Sequence, residues 1–179
     1  MQKITTTLLF CFILMQTFGQ TRKKVSSYLL VQYNQTIYDR TIGNNPWGVG
    51  AGLQTFFNSR VKFAPTIELT GDIYLADDKV LRLNPDGTIP TKYNDVRGMI
   101  NLFVGSSYHL TQNVYGSFIA GPSFIGGKTF IGIKPSLGFY FSKNKRWTGR
   151  LSYINIFNRD IKTKEDFGTI SFAIGRKLF

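Results

Sequence analysis

Five charged residues occupy polar positions in segments that otherwise alternate like β-strands. In the segment VKFAPTIELTGDIYL, every odd-numbered residue is apolar or glycine, and Lys62, Glu68 and Asp72 occupy even positions. Lys134 and Arg150 occupy polar positions of two later segments. Buried charges of opposite sign pair, because an uncompensated buried charge is costly. We therefore predict an interior ion-pair network in which Glu68 engages Lys134 or Arg150; its candidate members are Glu68, Asp72, Lys62, Lys134 and Arg150.

His109 is the only histidine of the chain and the other residue suited to chemistry. It is followed two positions later by Thr111 rather than by a serine nucleophile, and the single cysteine, Cys11, lies near the N-terminus. The segment GVGAG at 48–52 has the alternating spacing of a strand rather than that of a phosphate-binding loop. The sequence therefore predicts no catalytic residue, no cofactor-binding residue and no metal ligand.

The N-terminal segment predicts export. Lys3 precedes an apolar run over residues 8–15, and small residues precede a cleavage position after Gly19. The run is too short to span a bilayer as a helix, which takes about 20 residues. We predict a secretory signal peptide over 1–19 and a single domain, without cysteine, over 20–179.

Alternation with a period of two recurs along the domain and predicts strands. The predicted strands cover residues near 26–34, 48–57, 61–75, 100–110, 114–124, 131–141, 147–153 and 169–178. Tight connections alternate with mostly longer ones, as in outer-membrane barrels, and an even strand number puts both termini on one side. Since lipid offers the backbone no hydrogen-bonding partner, spanning strands must close into a barrel. The predicted fold class is all-β: a single antiparallel eight-stranded up-and-down transmembrane β-barrel with periplasmic termini.

The residue types on the two faces indicate a narrow, filled interior. Odd residues of 61–75 should face lipid, and even residues should face the lumen. Glycines recur on the polar face, at Gly48, Gly50, Gly52, Gly105, Gly132 and Gly138. Bulky rings on the same face, Phe56, Phe103, Tyr115 and Tyr140, should fill the gaps that the glycines leave. Three prolines inside strands, Pro65, Pro122 and Pro135, should each mark a bulge or a weak ladder.

The export signal, the eight amphipathic strands, the alternating connection lengths and the terminal phenylalanine of FAIGRKLF resemble the small outer-membrane β-barrel proteins of the OmpA-transmembrane and OmpX type. The resemblance implies the bacterial outer membrane and an interior ion-pair network that blocks or gates the lumen. It also implies that Phe179 is part of the signal read by the barrel-assembly machinery. Phe179 departs from the pattern, because it shares parity with Gly175 and Lys177 rather than with Ile170 and Phe172.

The formal charge of +12 would suggest nucleic acid for a cytosolic protein, but an exported chain meets lipid headgroups or lipopolysaccharide phosphates instead. We expect outer-membrane lipids and lipopolysaccharide as partners, and no nucleic acid. An extracellular ligand could bind the loops 34–46, 76–95 and 158–165. Aromatic residues near strand ends are candidate interfacial anchors: Trp47, Tyr74, Tyr108, Trp147 and Phe157.

The functional prediction is an integral outer-membrane barrel with a structural or surface-interaction role, a lumen filled by side chains and no catalysis. Three alternatives stay open at this point. They are a small gated porin or ion path, a secreted soluble lipocalin-like barrel that binds a ligand, and an outer-membrane lipid-modifying enzyme.

Overall fold

A computed structural model of the chain describes residues 25–38, 47–58, 62–75, 97–141, 144–159 and 166–179. These residues form eight strands. In chain order the strands are β1 (Val25–Tyr38), β2 (Trp47–Phe57), β3 (Phe63–Leu75), β4 (Arg97–His109), β5 (Val114–Ile125), β6 (Lys128–Tyr140), β7 (Trp147–Ile156) and β8 (Phe167–Lys177). The predicted signal peptide, 1–19, lies outside the described residues.

The strands close into one barrel in which each strand pairs with its neighbours in sequence and β8 pairs with β1. All eight pairings are antiparallel. The predicted single, antiparallel, eight-stranded up-and-down barrel is therefore confirmed. We call the end at which β1 begins and β8 ends the terminal end, and the opposite end the loop end. Every second connection, from β1–β2 onward, lies at the loop end.

Several strands extend beyond the alternating apolar pattern. β1 continues to Tyr38, four residues past the predicted end, and β7 continues to Ile156, three residues past its predicted end. The added segment of β1 begins with two polar residues, Gln35 and Thr36, which follow the inward-facing Asn34. Backbone pairing sustains these residues as strand where the side-chain pattern fades: Gln35 pairs with β2 and β8, and Thr36 and Tyr38 pair with β8 alone.

The two faces of the barrel are inverted relative to a water-soluble protein. In β3 the odd residues Ile67, Leu69 and Ile73 are 41–50% exposed, while the even residues Glu68 and Asp72 are almost fully buried. The other strands follow the same rule. Exposed apolar side chains on the outer face include Leu29, Val31, Val49, Leu53, Ile100, Leu102, Val104, Phe118, Ile131, Leu137, Leu151, Ile170, Phe172 and Ile174.

Two apolar clusters close the interior on either side of its centre. The terminal-end cluster comprises Tyr28, Leu30, Phe56, Ala64, Tyr115 and Tyr140. The loop-end cluster comprises Tyr74, Met99, Phe103, Ile119, Ile125, Phe130, Ile154, Ile156 and Phe167. Packing is close enough to require glycine: a side chain at Gly138 would overlap the Tyr115 ring, and one at Gly50 would overlap the Asp72 carboxylate. The predicted inward rings thus fill the lumen.

Two of the three prolines interrupt strand pairing without shifting its register. The β4–β5 partners run through Asn101↔Ser123 and resume at Val104↔Ala120, which leaves a gap opposite Pro122. A similar gap in β6–β7 spans Pro135. Because the register is the same on both sides of each gap, these are weak ladder positions rather than bulges, as expected for a residue without an N–H donor. Pro65 pairs with Ser106 of β4 and lies one residue past the end of the β2–β3 pairing, so it marks neither a bulge nor a gap in a ladder.

Candidate functional site in the barrel interior

Glu68 lies at the centre of the interior and holds two cations from the opposite wall. Lys134 Nζ, on β6, lies 2.6 Å from Glu68 Oε1, and Arg150 Nη2, on β7, donates to the same oxygen at 3.1 Å. Arg150 Nη1 also pairs with Glu68 Oε2. All three side chains are fully buried. A carboxylate held by a guanidinium fork and an ammonium is a strong, oriented arrangement, because each hydrogen bond carries charge.

Asp72 lies four residues along β3 toward the loop end and is held by neutral donors rather than by a cation. Gln32 Nε2 and Asn34 Nδ2, both on β1, donate to Asp72 Oδ1 at 2.6 and 2.7 Å. Asn101 Nδ2 and Thr70 Oγ1 donate to Oδ2 at 3.1 and 3.3 Å. The two carboxylates are linked, since Lys134 Nζ also donates to Gln32 Oε1 at 3.4 Å.

We call this set the polar belt; its members are Gln32, Asn34, Glu68, Thr70, Asp72, Asn101, Lys134 and Arg150. The predicted Glu68, Asp72, Lys134 and Arg150 all belong to it. The polar side chains of β1 and β4 were not predicted as members, although each occupies an inward position. The alternation of inward and outward positions along each strand was the signal that could have identified them.

Lys62 is not part of the polar belt. It is exposed and precedes β3, which begins at Phe63. Its backbone carbonyl accepts a hydrogen bond from the His109 N–H at 3.0 Å. Beyond the end of the strand, water solvates the ammonium group, so burial against a carboxylate brings no advantage.

A row of inward serines on adjacent strands was also missed by sequence reasoning. Ser107 pairs in register with Ser117, and the pairing continues through Ser136 and Ser152 to Ser171. Each serine alone resembles an ordinary small residue on the polar face. Only the register brings them together.

His109 lies at the terminal end, within the aromatic layer that closes the lumen there. Its ring centre is 6.2–6.4 Å from those of Phe56, Tyr115 and Tyr140. In the described part of the chain, no three His, Cys, Asp or Glu side chains are grouped so that they could hold a metal ion. The surroundings of His109 are those of a packing residue.

Four of the five predicted interfacial anchors lie on the outer surface near strand ends. Trp47 stacks on Tyr33 at 6.3 Å between ring centres, and Tyr108 packs on Phe63 at 4.8 Å. Trp147 and Phe157 are also exposed.

The prediction is wrong for the fifth anchor, Tyr74, which lies inside the barrel rather than on its outer surface. It is only 3% exposed and packs edge-on against Phe167, with 5.1 Å between ring centres. Its even position in β3 directs the ring into the lumen, where it helps to close the loop end.

Phe179 lies two residues past β8 and is 64% exposed. Its carbonyl accepts a hydrogen bond from the Ser27 N–H at 3.3 Å, so the chain still follows β1 at this point. Most of the predicted ligand-binding loops, residues 39–46, 76–95 and 160–165, lie outside the described residues.

Among the residues that the structure describes, no helix is both long and apolar enough to cross a membrane. No protein-family model matches the chain, and no curated protein matches its sequence.

Solved structures share its architecture. The Yersinia pestis outer membrane protein Ail in a phospholipid bilayer nanodisc aligns with a TM-score of 0.56 and 12% sequence identity, over 86% of this chain and 99% of that chain. Crystalline Y. pestis Ail in complex with the heparin analogue sucrose octasulfate aligns with a TM-score of 0.58 and 11% identity, over 87% of this chain and 99% of that chain. The chain therefore has the fold of small eight-stranded outer-membrane β-barrel proteins.

Proposed function

We propose that the protein is an integral barrel of the bacterial outer membrane with a structural or surface-interaction role and no catalytic activity. One observation carries the proposal: the charged side chains Glu68, Lys134 and Arg150 are fully buried, while large apolar side chains are exposed on every strand. In water this arrangement would leave a wide apolar surface exposed, which soluble monomers avoid. In lipid the same surface is solvated by acyl chains.

The interior argues against the alternatives. A lipocalin-like barrel keeps an apolar cavity for its ligand, whereas this lumen holds a charged belt at its centre. A small porin needs an open water path, whereas apolar clusters pack on both sides of the polar belt. A lipid-modifying enzyme needs an accessible base and nucleophile, whereas His109 packs among three aromatic rings.

Surface interaction would lie with the long loops at the loop end. Residues 76–96 form the longest connection between described strands, and they carry charges of both signs. Ail, which shares this fold, has been crystallised with a sulfated heparin analogue. By analogy, the loops of this chain within 34–46, 76–95 and 158–165 are the candidate site for an extracellular ligand. Lipopolysaccharide would surround the barrel at the same end.

Assembly would use the exposed chain end. Phe179 and Leu178 are both more than half exposed beyond β8. They follow the seam between β8 and β1, where the barrel-assembly machinery would read them.

Membrane fractionation tests the proposal directly. After expression with residues 1–19, the predicted signal peptide, in a Gram-negative host, the protein should stay in the outer-membrane pellet through washes with carbonate and with urea, because acyl chains cover its apolar face. A peripheral outer-membrane protein serves as the control that each wash must release. Recovery of the barrel in the soluble periplasmic fraction would contradict the proposal.

A further inference from the structure

The positive charge of the protein is concentrated at one end of the barrel. The terminal-end connections, residues 58–62, 110–113 and 141–146, contain five Lys or Arg and no Asp or Glu. The loop-end connections, residues 39–46, 76–96, 126–127 and 157–166, contain seven Lys or Arg and eight Asp or Glu. The loop end is thus nearly balanced. The polar belt is balanced as well, since its two carboxylates match its two cations.

A cleft where β7 begins and β8 ends gathers one cation from the terminal-end connections and two from β8. The cleft has a volume of about 480 Å³. Arg146, Arg176 and Lys177 line it, and Trp147 forms part of its wall. Its other lining residues are Asn144, Leu178 and Phe179.

The geometry of the cleft joins charge to an apolar rim. Trp147 pairs in register with Arg176, whose guanidinium lies 5.8 Å from the centre of the indole ring. The Lys177 N–H donates to the Arg146 carbonyl at 2.7 Å, which fixes the two backbones side by side. Trp147, Leu178 and Phe179 are 47%, 52% and 64% exposed. The cations therefore lie where the apolar outer surface ends, which is the depth of the headgroups for a barrel that spans lipid.

We propose that this cleft binds the phosphate of an anionic phospholipid headgroup, with the acyl chains against Trp147 and Leu178. The inference rests on the proposed function, because it requires the barrel to span the outer membrane with its terminal end toward the periplasm. That end meets the phospholipid leaflet, whereas lipopolysaccharide occupies the opposite one. Guanidinium groups suit a phosphate because their donors form a planar fork.

The two tryptophans of the chain provide an internal comparison, because Trp147 lies at the cleft and Trp47 lies at the loop end. A Trp47→Phe variant reports from the cleft alone, and a Trp147→Phe variant reports from the loop end alone. Each would be reconstituted in mixed vesicles of phosphatidylcholine and phosphatidylglycerol. A minor fraction of one lipid or the other would carry brominated acyl chains, which quench nearby indoles.

A given amount of brominated phosphatidylglycerol should quench Trp147 at least as strongly as about five times that amount of brominated phosphatidylcholine, because each cation near an anionic surface contributes about that factor. Trp47 should show no preference. The preference of Trp147 should disappear in an Arg146→Gln, Arg176→Gln, Lys177→Gln triple variant, and it should survive in Lys128→Gln, which removes an exposed cation at the loop end.

The outcomes separate the two proposals. If neither indole is quenched by either lipid, the barrel is not inserted and the proposed function fails. If both indoles are quenched without preference for either lipid, the barrel is inserted and only the proposed lipid binding at the cleft is wrong. If the triple variant does not insert, the lipid preferences of Trp147 and Trp47 in the two single-tryptophan variants still test the cleft. An equal preference for phosphatidylglycerol at both tryptophans would also contradict lipid binding at the cleft, because it would indicate a general attraction of anionic lipid to the barrel.

Discussion

Glu68→Gln should destabilise the barrel by about 3–5 kcal/mol, because it leaves buried cations without their carboxylate. Lys134 and Arg150 are both fully buried against Glu68, and glutamine keeps the shape of the side chain but not its charge. The measurement is urea unfolding of the refolded protein in detergent micelles, followed by tryptophan fluorescence.

A double variant distinguishes stranded charge from lost packing. Glu68→Gln combined with Lys134→Met leaves Arg150 and Asp72 as one cation and one anion, so it should be less destabilised than the sum of the two single variants. Gln54→Met is a matched control, because Gln54 pairs in register with Glu68 and its buried amide has no hydrogen-bond partner among the described residues. The control should be close to neutral. Additive costs in the cycle would contradict the ion-pair account.

Leu69→Arg should destabilise the barrel by about 2–4 kcal/mol, the cost of a cation at the midplane of a lipid-facing surface. Leu69 is the central residue of β3 and is 49% exposed on the outer face. Phe63→Arg is the control on the same face, because Phe63 is the first residue of β3 and lies at the terminal end. There the cost of lipid contact should be only about 0–1 kcal/mol, taken relative to Phe63→Ala, which also removes the ring contact with Tyr108.

Unfolding in phospholipid vesicles measures both changes under the same conditions. A depth-dependent cost follows from lipid contact, since a guanidinium near the end of a strand reaches the headgroups and one at the centre does not. Equal, small effects at both positions would indicate that this face meets water, and the inside-out assignment would then be wrong.

The fold was predictable because barrels that span lipid follow a simple alternating pattern of residues. Each strand must present apolar side chains to acyl chains at every second position, and the backbone must be satisfied by closure. Apolar residues at alternate positions, such as Leu69 and Phe172, therefore indicate both the strand and its outer face. The same parity rule places Glu68 inside, opposite the cations of β6 and β7.

The composition of the polar belt was less predictable because it depends on register. Gln32 and Asn34 contact Asp72 only because β1 and β3 flank the same strand and their inward side chains meet across it. For Tyr74, the predicted position on the outer surface was wrong. An aromatic residue near a strand end suggests an interfacial anchor, yet its even parity already directed it into the lumen. The position of a residue in the alternation is therefore a better guide to the face it occupies than its side-chain type.

The strand ends were the least predictable part. Lys62 continues the alternation of β3 by one period, but β3 begins at Phe63 and the ammonium group lies in water. Alternation says which face a residue occupies, but it does not say where pairing stops. That is set by the turn, whose residues carry no periodic signal.

Conductance across a planar lipid bilayer tests the central claim most directly, because the claim is a membrane-spanning barrel whose lumen is closed by side chains. Tyr115 and Tyr140 fill the terminal end, Phe103 and Phe167 fill the loop end, and the Glu68 cluster occupies the centre. After insertion is verified by protease protection, the purified protein should give a flat baseline without steady current steps. A large, stable open conductance from the unmodified protein would contradict the filled lumen.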